Sequence, residues 1–177
     1  MRAWKAVAIG GAIAGGIGAL VLADRKTPVP AGRVALIGDS YAVGLGPELA
    51  KIFSDFKYAG VVGTNTAQWA AHSAACGTCG DWLTTFKPDV VLVSLGVNDG
   101  ATPNRQNYND IVGGLHGLGA RVIWIEPPAG VNTPTVRSVI ASLGVQTVPA
   151  TTVSLAGIHP VDYSPWANEV AQIVRGT

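Results

Sequence analysis

Ser40 stands in Gly38-Asp39-Ser40, directly after Arg33-Val34-Ala35-Leu36-Ile37, an apolar run that reads as a buried strand. A serine hydroxyl is a poor nucleophile until a neighbouring base takes its proton, and the natural base is histidine. Of the three histidines, His72 lies beside a pair of cysteines, and His116 falls at a helix end, where it caps carbonyls or faces solvent. His159, followed by Pro160 in a loop leading to the last helix, is the best-placed base. Attack on a carbonyl also needs N–H donors for the oxyanion, and losing one costs about 10²–10³ in rate. The backbone N–H groups of Ser40 and Gly63 and the side-chain amide of Asn98 are three candidates. Glycine suits the second position because the backbone must come close to the substrate there. Asp39 reads as a turn former and Asp99 as a residue that fixes its own loop. Such a set of groups would perform nucleophilic acyl transfer.

The elements that must position these residues alternate in type. Strands are expected at Arg33–Ile37, Tyr58–Val62, Asp89–Leu95, Arg121–Ile125 and Val145–Val148. Helices are expected at about Pro47–Phe56, with Pro47 in the first turn, and near Tyr108–Leu115. A further helix opens at Thr133-Pro134 and stops at Gly144, and the last starts at Ser164-Pro165 and runs to about Val174. Strands apolar throughout and separated by helices predict a parallel sheet covered on both faces, a three-layer α/β/α sandwich of five strands. Ligands collect at the C-terminal ends of such strands. Ser40, Gly63, Asn98 and Glu126 each fall just past a strand end, so four segments deliver polar groups to one rim.

Gly38-Asp39-Ser40-Tyr41, Gly63, Gly96-Val97-Asn98-Asp99 and His159-Pro160, in this order, resemble the SGNH (GDSL-like) hydrolase family over about residues 33–174. The resemblance implies a flavodoxin-like sheet and metal-independent ester hydrolysis without a cofactor. Ser40 would be the nucleophile, Ser40, Gly63 and Asn98 the oxyanion donors, and His159 the base. The ordinary α/β-hydrolase fold is disfavoured, because Gly-Asp-Ser-Tyr-Ala does not match its Gly-x-Ser-x-Gly elbow. One departure stands out. The family usually places an aspartate three residues before the histidine, and that position is Ala156. Replacing the orienting carboxylate of a protease triad lowers turnover about 10⁴-fold. Either the chain is crippled, or a backbone carbonyl accepts the Nδ1 proton, as in Ser-His dyads, or a carboxylate reaches in. Glu126, at the end of the fourth strand, is on the correct rim for that role.

The rest of the chain bounds location and partners. Residues 6–23 carry no charge and are flanked by Arg2, Lys5, Arg25 and Lys26. As a helix they would span roughly 27 Å, close to the ~30 Å hydrocarbon core. Residues 1–26 are thus expected to be a membrane anchor or a cleaved signal, or else a buried helix, and residues 27–32, with Pro28 and Pro30, a linker to a domain at 33–177. The first two readings export the domain to the cell envelope or beyond. In that setting Cys76 and Cys79 read as a disulfide staple; a redox pair, or a zinc group with His72, are the other readings, and no clear fourth metal ligand stands nearby. Charged residues make up 13% and the net charge is +1, so no basic stripe is present to neutralise phosphates, and nucleic acid is not an expected partner. The short chain leaves no lid-sized insertion to bury a long acyl group. The expected function is therefore an exported esterase removing small acyl groups, acetyl foremost, from a cell-wall or surface glycan. Two alternatives remain open: a catalytically degenerate carbohydrate-binding domain, motivated by Ala156, and a lipase or thioesterase at the membrane surface.

Overall fold

The computed structural model describes residues 32–71, 81–131 and 134–176. The N-terminal apolar segment, most of the linker, His72 with Cys76 and Cys79, and the Thr133 cap lie outside the described residues.

Five strands form one parallel sheet: β1 (Val34–Gly38), β2 (Phe56–Gly60), β3 (Val90–Ser94), β4 (Arg121–Ile125) and β5 (Gln146–Val148), in the order β2-β1-β3-β4-β5. Successive side chains of a strand face opposite sides. In β1 this sends Val34 and Leu36 to one core and Ala35 and Ile37 to the other, and all four are buried. The first core is closed by α1 (Ser40–Ala50) and α6 (Ser164–Arg175), through Leu45, Leu49, Trp166 and Val170. The second is closed by α2 (Thr66–Ala70), α3 (Asp81–Phe86), α4 (Arg105–Gly117) and α5 (Pro134–Ala141), with Trp124 stacked on Tyr108 at its centre. A last pair of two-residue strands, β6 (Leu155–Ala156) and β7 (His159–Pro160), makes an antiparallel hairpin ahead of α6.

The expected three-layer sandwich is therefore present, with several local corrections. The first helix begins at Ser40, and Pro47 lies inside it. A proline in a helix interior costs about 3 kcal/mol and is normally excluded. The helix starts early because Asp39 already caps it: its side chain accepts the Tyr41 N–H at 2.9 Å. The last helix is capped from Asp162, whose carboxylate accepts the Ser164 N–H at 2.8 Å, and Tyr163 takes the N-cap position expected of Ser164. Helices α2 and α3 and the hairpin were not expected.

Sheet order fixes where a site can form. The chain leaves β1 toward β2 and then returns to the opposite side of β1 to lay down β3, so the β1 and β3 ends flank the point where the direction of winding reverses. Clefts open at such switch points. Ser40 follows β1, and Asn98 follows β3.

Candidate active site

Ser40 is the first residue of α1 and is half-buried. The first N–H groups of a helix have no intrahelical acceptor, so this position joins a hydroxyl to unpaired donors and to the positive end of the helix dipole. Asp39 beneath it is fully buried. One of its oxygens caps Tyr41, and the other has no hydrogen-bond partner among the described residues. Burial pushes the Asp39 carboxyl up to about 7; the bond from the Tyr41 N–H pulls the other way, and the nearby Asp99 charge adds to the rise.

Two loops leave the sheet on either side of the β1 end, where the Val61 N–H donates to the Gly38 carbonyl at 3.0 Å and the Asp39 N–H to the Ser94 carbonyl at 3.0 Å. Gly63 has φ +77, a left-handed conformation in which a side chain is strained, while a Cβ there would meet nothing within 4 Å. Its glycine answers to backbone shape and not to lack of room. The Asn98 side-chain amide donates to the Thr64 carbonyl at 2.8 Å. One N–H of the amide thus tethers the side chain to the loop after Gly63. Asp99 does more than fix its own loop: its carboxylate accepts from the Thr66 N–H at 2.9 Å and the Thr66 hydroxyl at 2.6 Å, clamping the start of α2. The segments after Gly63 and around Asn98 are thus joined by three hydrogen bonds.

His159 lies on β7. Its ring meets the Tyr41 ring edge-on at 5.5 Å between centroids, and the Tyr41 hydroxyl donates to the Ile158 carbonyl at 2.6 Å. The residue next to Ser40 in sequence therefore grips the segment that carries the histidine. Ala156 pairs with His159 across the hairpin ladder. The atom facing His159 Nδ1 is the Tyr163 hydroxyl, at 3.2 Å. Glu126 is engaged elsewhere, 3.6 Å from the Arg137 guanidinium of α5. Tyr163 was not singled out by sequence; its one signal is its place four residues after His159, at the mouth of α6.

Of the remaining tryptophans, Trp166 is fully buried against Tyr41 and Tyr163, and Trp69 lines a cavity of about 190 Å³ together with Ile37, Leu83, Ile111 and Leu115. That cavity contains none of Ser40, Gly63, Asn98 and His159. Among the described residues no cluster of three or more metal-ligating side chains occurs.

No protein-family model matches the chain, and no curated protein matches it. Solved structures do. A Bacteroides uniformis protein described as a GDSL-like lipase superposes with TM-score 0.58 at 13% identity, covering 79% of this chain and 92% of its own. The C-terminal catalytic domain of peptidoglycan O-acetyltransferase A (OatA) from Streptococcus pneumoniae, solved with a methylsulfonyl adduct, superposes with TM-score 0.59 at 17% identity, covering 82% and 93%. The fold is that of the SGNH hydrolases. At these identities the likeness is one of architecture, a parallel sheet of order 2-1-3-4-5 flanked by helices.

Proposed function

We propose that the SGNH-like domain is a serine esterase that removes small acyl groups, acetyl foremost, from a cell-wall or surface glycan. The observation that carries this reading is the packing of the His159 ring against Tyr41, the neighbour of Ser40 on the first turn of α1. The Ser40 hydroxyl attacks the ester carbonyl as its proton passes to His159, and the oxyanion is taken by the N–H groups of Ser40 and Gly63 and by the Asn98 amide. Collapse breaks the ester C–O bond, and His159 returns the proton to the departing alcohol. Water then attacks the acyl-serine with the same base, releasing the acid and restoring Ser40. The glycan substrate is supported by the shared fold with a peptidoglycan O-acetyltransferase and by the apolar N-terminal segment, which would carry the domain to the envelope.

Incubation of the full chain with a labelled fluorophosphonate and with 4-nitrophenyl esters tests the reading. A stable adduct forms at Ser40 and is lost in Ser40→Ala, and hydrolysis falls about 10⁴-fold in both Ser40→Ala and His159→Ala. A folded protein that takes no label and hydrolyses nothing is a binding domain instead, the reading favoured by Ala156. The exposed Val62 beside Gly63 and Ile158 beside His159 favour a second enzymatic reading, a lipase or thioesterase. It requires activity to rise with acyl chain length, whereas the acetylesterase prefers the shortest ester.

A further inference from the structure

We propose that Tyr163 stands in for the missing carboxylate: its phenolic oxygen accepts the Nδ1 proton of His159 and so leaves Nε2 as the basic nitrogen. The inference rests on the reading of Ser40 and His159 as nucleophile and base.

The Nδ1 to Oη separation is 3.2 Å. In the neutral ring the direction of the bond depends on the His159 tautomer; the proton inventory fixes it once the ring is charged. Once His159 has taken the serine proton, both ring nitrogens carry hydrogen, so Nδ1 can only donate and the phenol can only accept. Burial, with the Asp39 charge behind it, pushes the Tyr163 phenol up to about 12, so it stays neutral and never competes for the proton. Among the described residues no carboxylate is hydrogen-bonded to His159, and Asp39 gives one oxygen to the Tyr41 N–H. Asp162 caps Ser164, Glu126 faces Arg137, and Glu169 accepts from the Thr151 and Thr152 hydroxyls. Ala156, directly across the ladder, offers only a methyl group.

A positioning residue must itself be held. The Tyr163 ring lies on bare Gly44 of α1, where any Cβ would collide with it, and stacks on Trp166 with centroids 6.4 Å apart at 18°. Trp166 in turn receives the edge of Tyr41. The phenol is therefore fixed by packing against α1 and α6. A neutral phenol stabilises an imidazolium less than a carboxylate does, because it offers a hydrogen-bond acceptor but no opposite charge. The chain thus works with a weaker orienter, and the vacancy at position 156 remains open to a stronger one. Residues directly opposite on a ladder have Cβ atoms about 4.5–5.5 Å apart, so an aspartate at 156 would reach Nδ1.

The test uses the full chain, 4-nitrophenyl acetate and ¹⁵N spectra of the histidine side chains. Tyr163→Phe keeps the ring and its packing but removes the acceptor. It should lower kcat about tenfold with KM unchanged, and shift His159 away from the Nδ1–H tautomer. Adding Ala156→Asp to Tyr163→Phe should restore turnover to the parental level or above. A Tyr163→Phe protein with parental kcat and an unchanged tautomer overturns the inference. So does a loss of kcat that Ala156→Asp fails to restore while the tautomer is unchanged, which would make Tyr163 a packing residue. If the parent shows no Ser40-dependent turnover, the esterase reading fails by itself, and the tautomer shift in Tyr163→Phe still decides what Tyr163 does.

Discussion

The two sides of the candidate site are held by different kinds of force. The side of Ser40, Gly63 and Asn98 is a polar frame: Asp39 caps α1, Asn98 ties to Thr64, and Asp99 clamps Thr66, with Asp39, Thr64 and Thr66 all buried. The side of His159 is a six-residue hairpin held by rings, with Tyr41 and Tyr163 against it, Trp166 packed on both, and two phenol hydrogen bonds, Tyr41 to Ile158 and Tyr163 with His159. Buried polar networks fail all at once, because each orphaned group carries its full desolvation cost. Aromatic contacts give way gradually. Damage to the frame should thus appear as lost stability, and damage to the hairpin as lost turnover in a protein that stays folded.

The largest effect expected of the frame comes from Asp39. Its ordinary value is 3.8 and its folded value about 7, so between these pH values the native state binds more protons than the unfolded chain. Stability from this group is greatest below about 4 and declines as pH rises toward 7, by up to about 4 kcal/mol. Asp39→Asn keeps a capping oxygen but cannot ionise. Urea midpoints should therefore fall from pH 4.5 to pH 8 in the parent and fall less in the variant; parallel declines would mean that the site beneath Ser40 is not dry. Thr66→Val is next. It deprives the Asp99 carboxylate of the Thr66 hydroxyl donor and should cost about 1–3 kcal/mol in the same assay. The smallest effect on stability belongs to the hairpin. Tyr41→Phe removes the bond to Ile158 and should cost about 1 kcal/mol or less, yet lower kcat several-fold as His159 loses its anchor. A Tyr41→Phe protein that unfolds readily but turns over normally would erase the distinction between the two sides.

The sheet was legible in the sequence because its central strands are apolar along their whole length, and Arg121–Ile125 falls where expected. Misplacement began where two local signals competed. Pro47 suggested a helix start, but the Asp39 carboxylate terminates β1 and begins α1 within one residue, which brings Ser40 onto the helix end. Two-residue strands such as β6 and β7 have no periodicity to read, so the hairpin was invisible. Ser40, Gly63, Asn98 and Glu126 lie past strand ends because the loops after parallel strands all leave the sheet on that side. Tyr163 escaped notice because its role comes from stacking on Trp166 and lying over Gly44, contacts made across three separate segments.

Gly44 carries one more implication. It is four positions along α1 from Ser40, and the phenol ring occupies the space a side chain would need. A substituent grown from that backbone atom acts as a wedge under the histidine's support while leaving the nucleophile in place. The bulk of residue 44 would therefore act as a steric dial on the proposed proton relay, turned from a position with no proton to exchange.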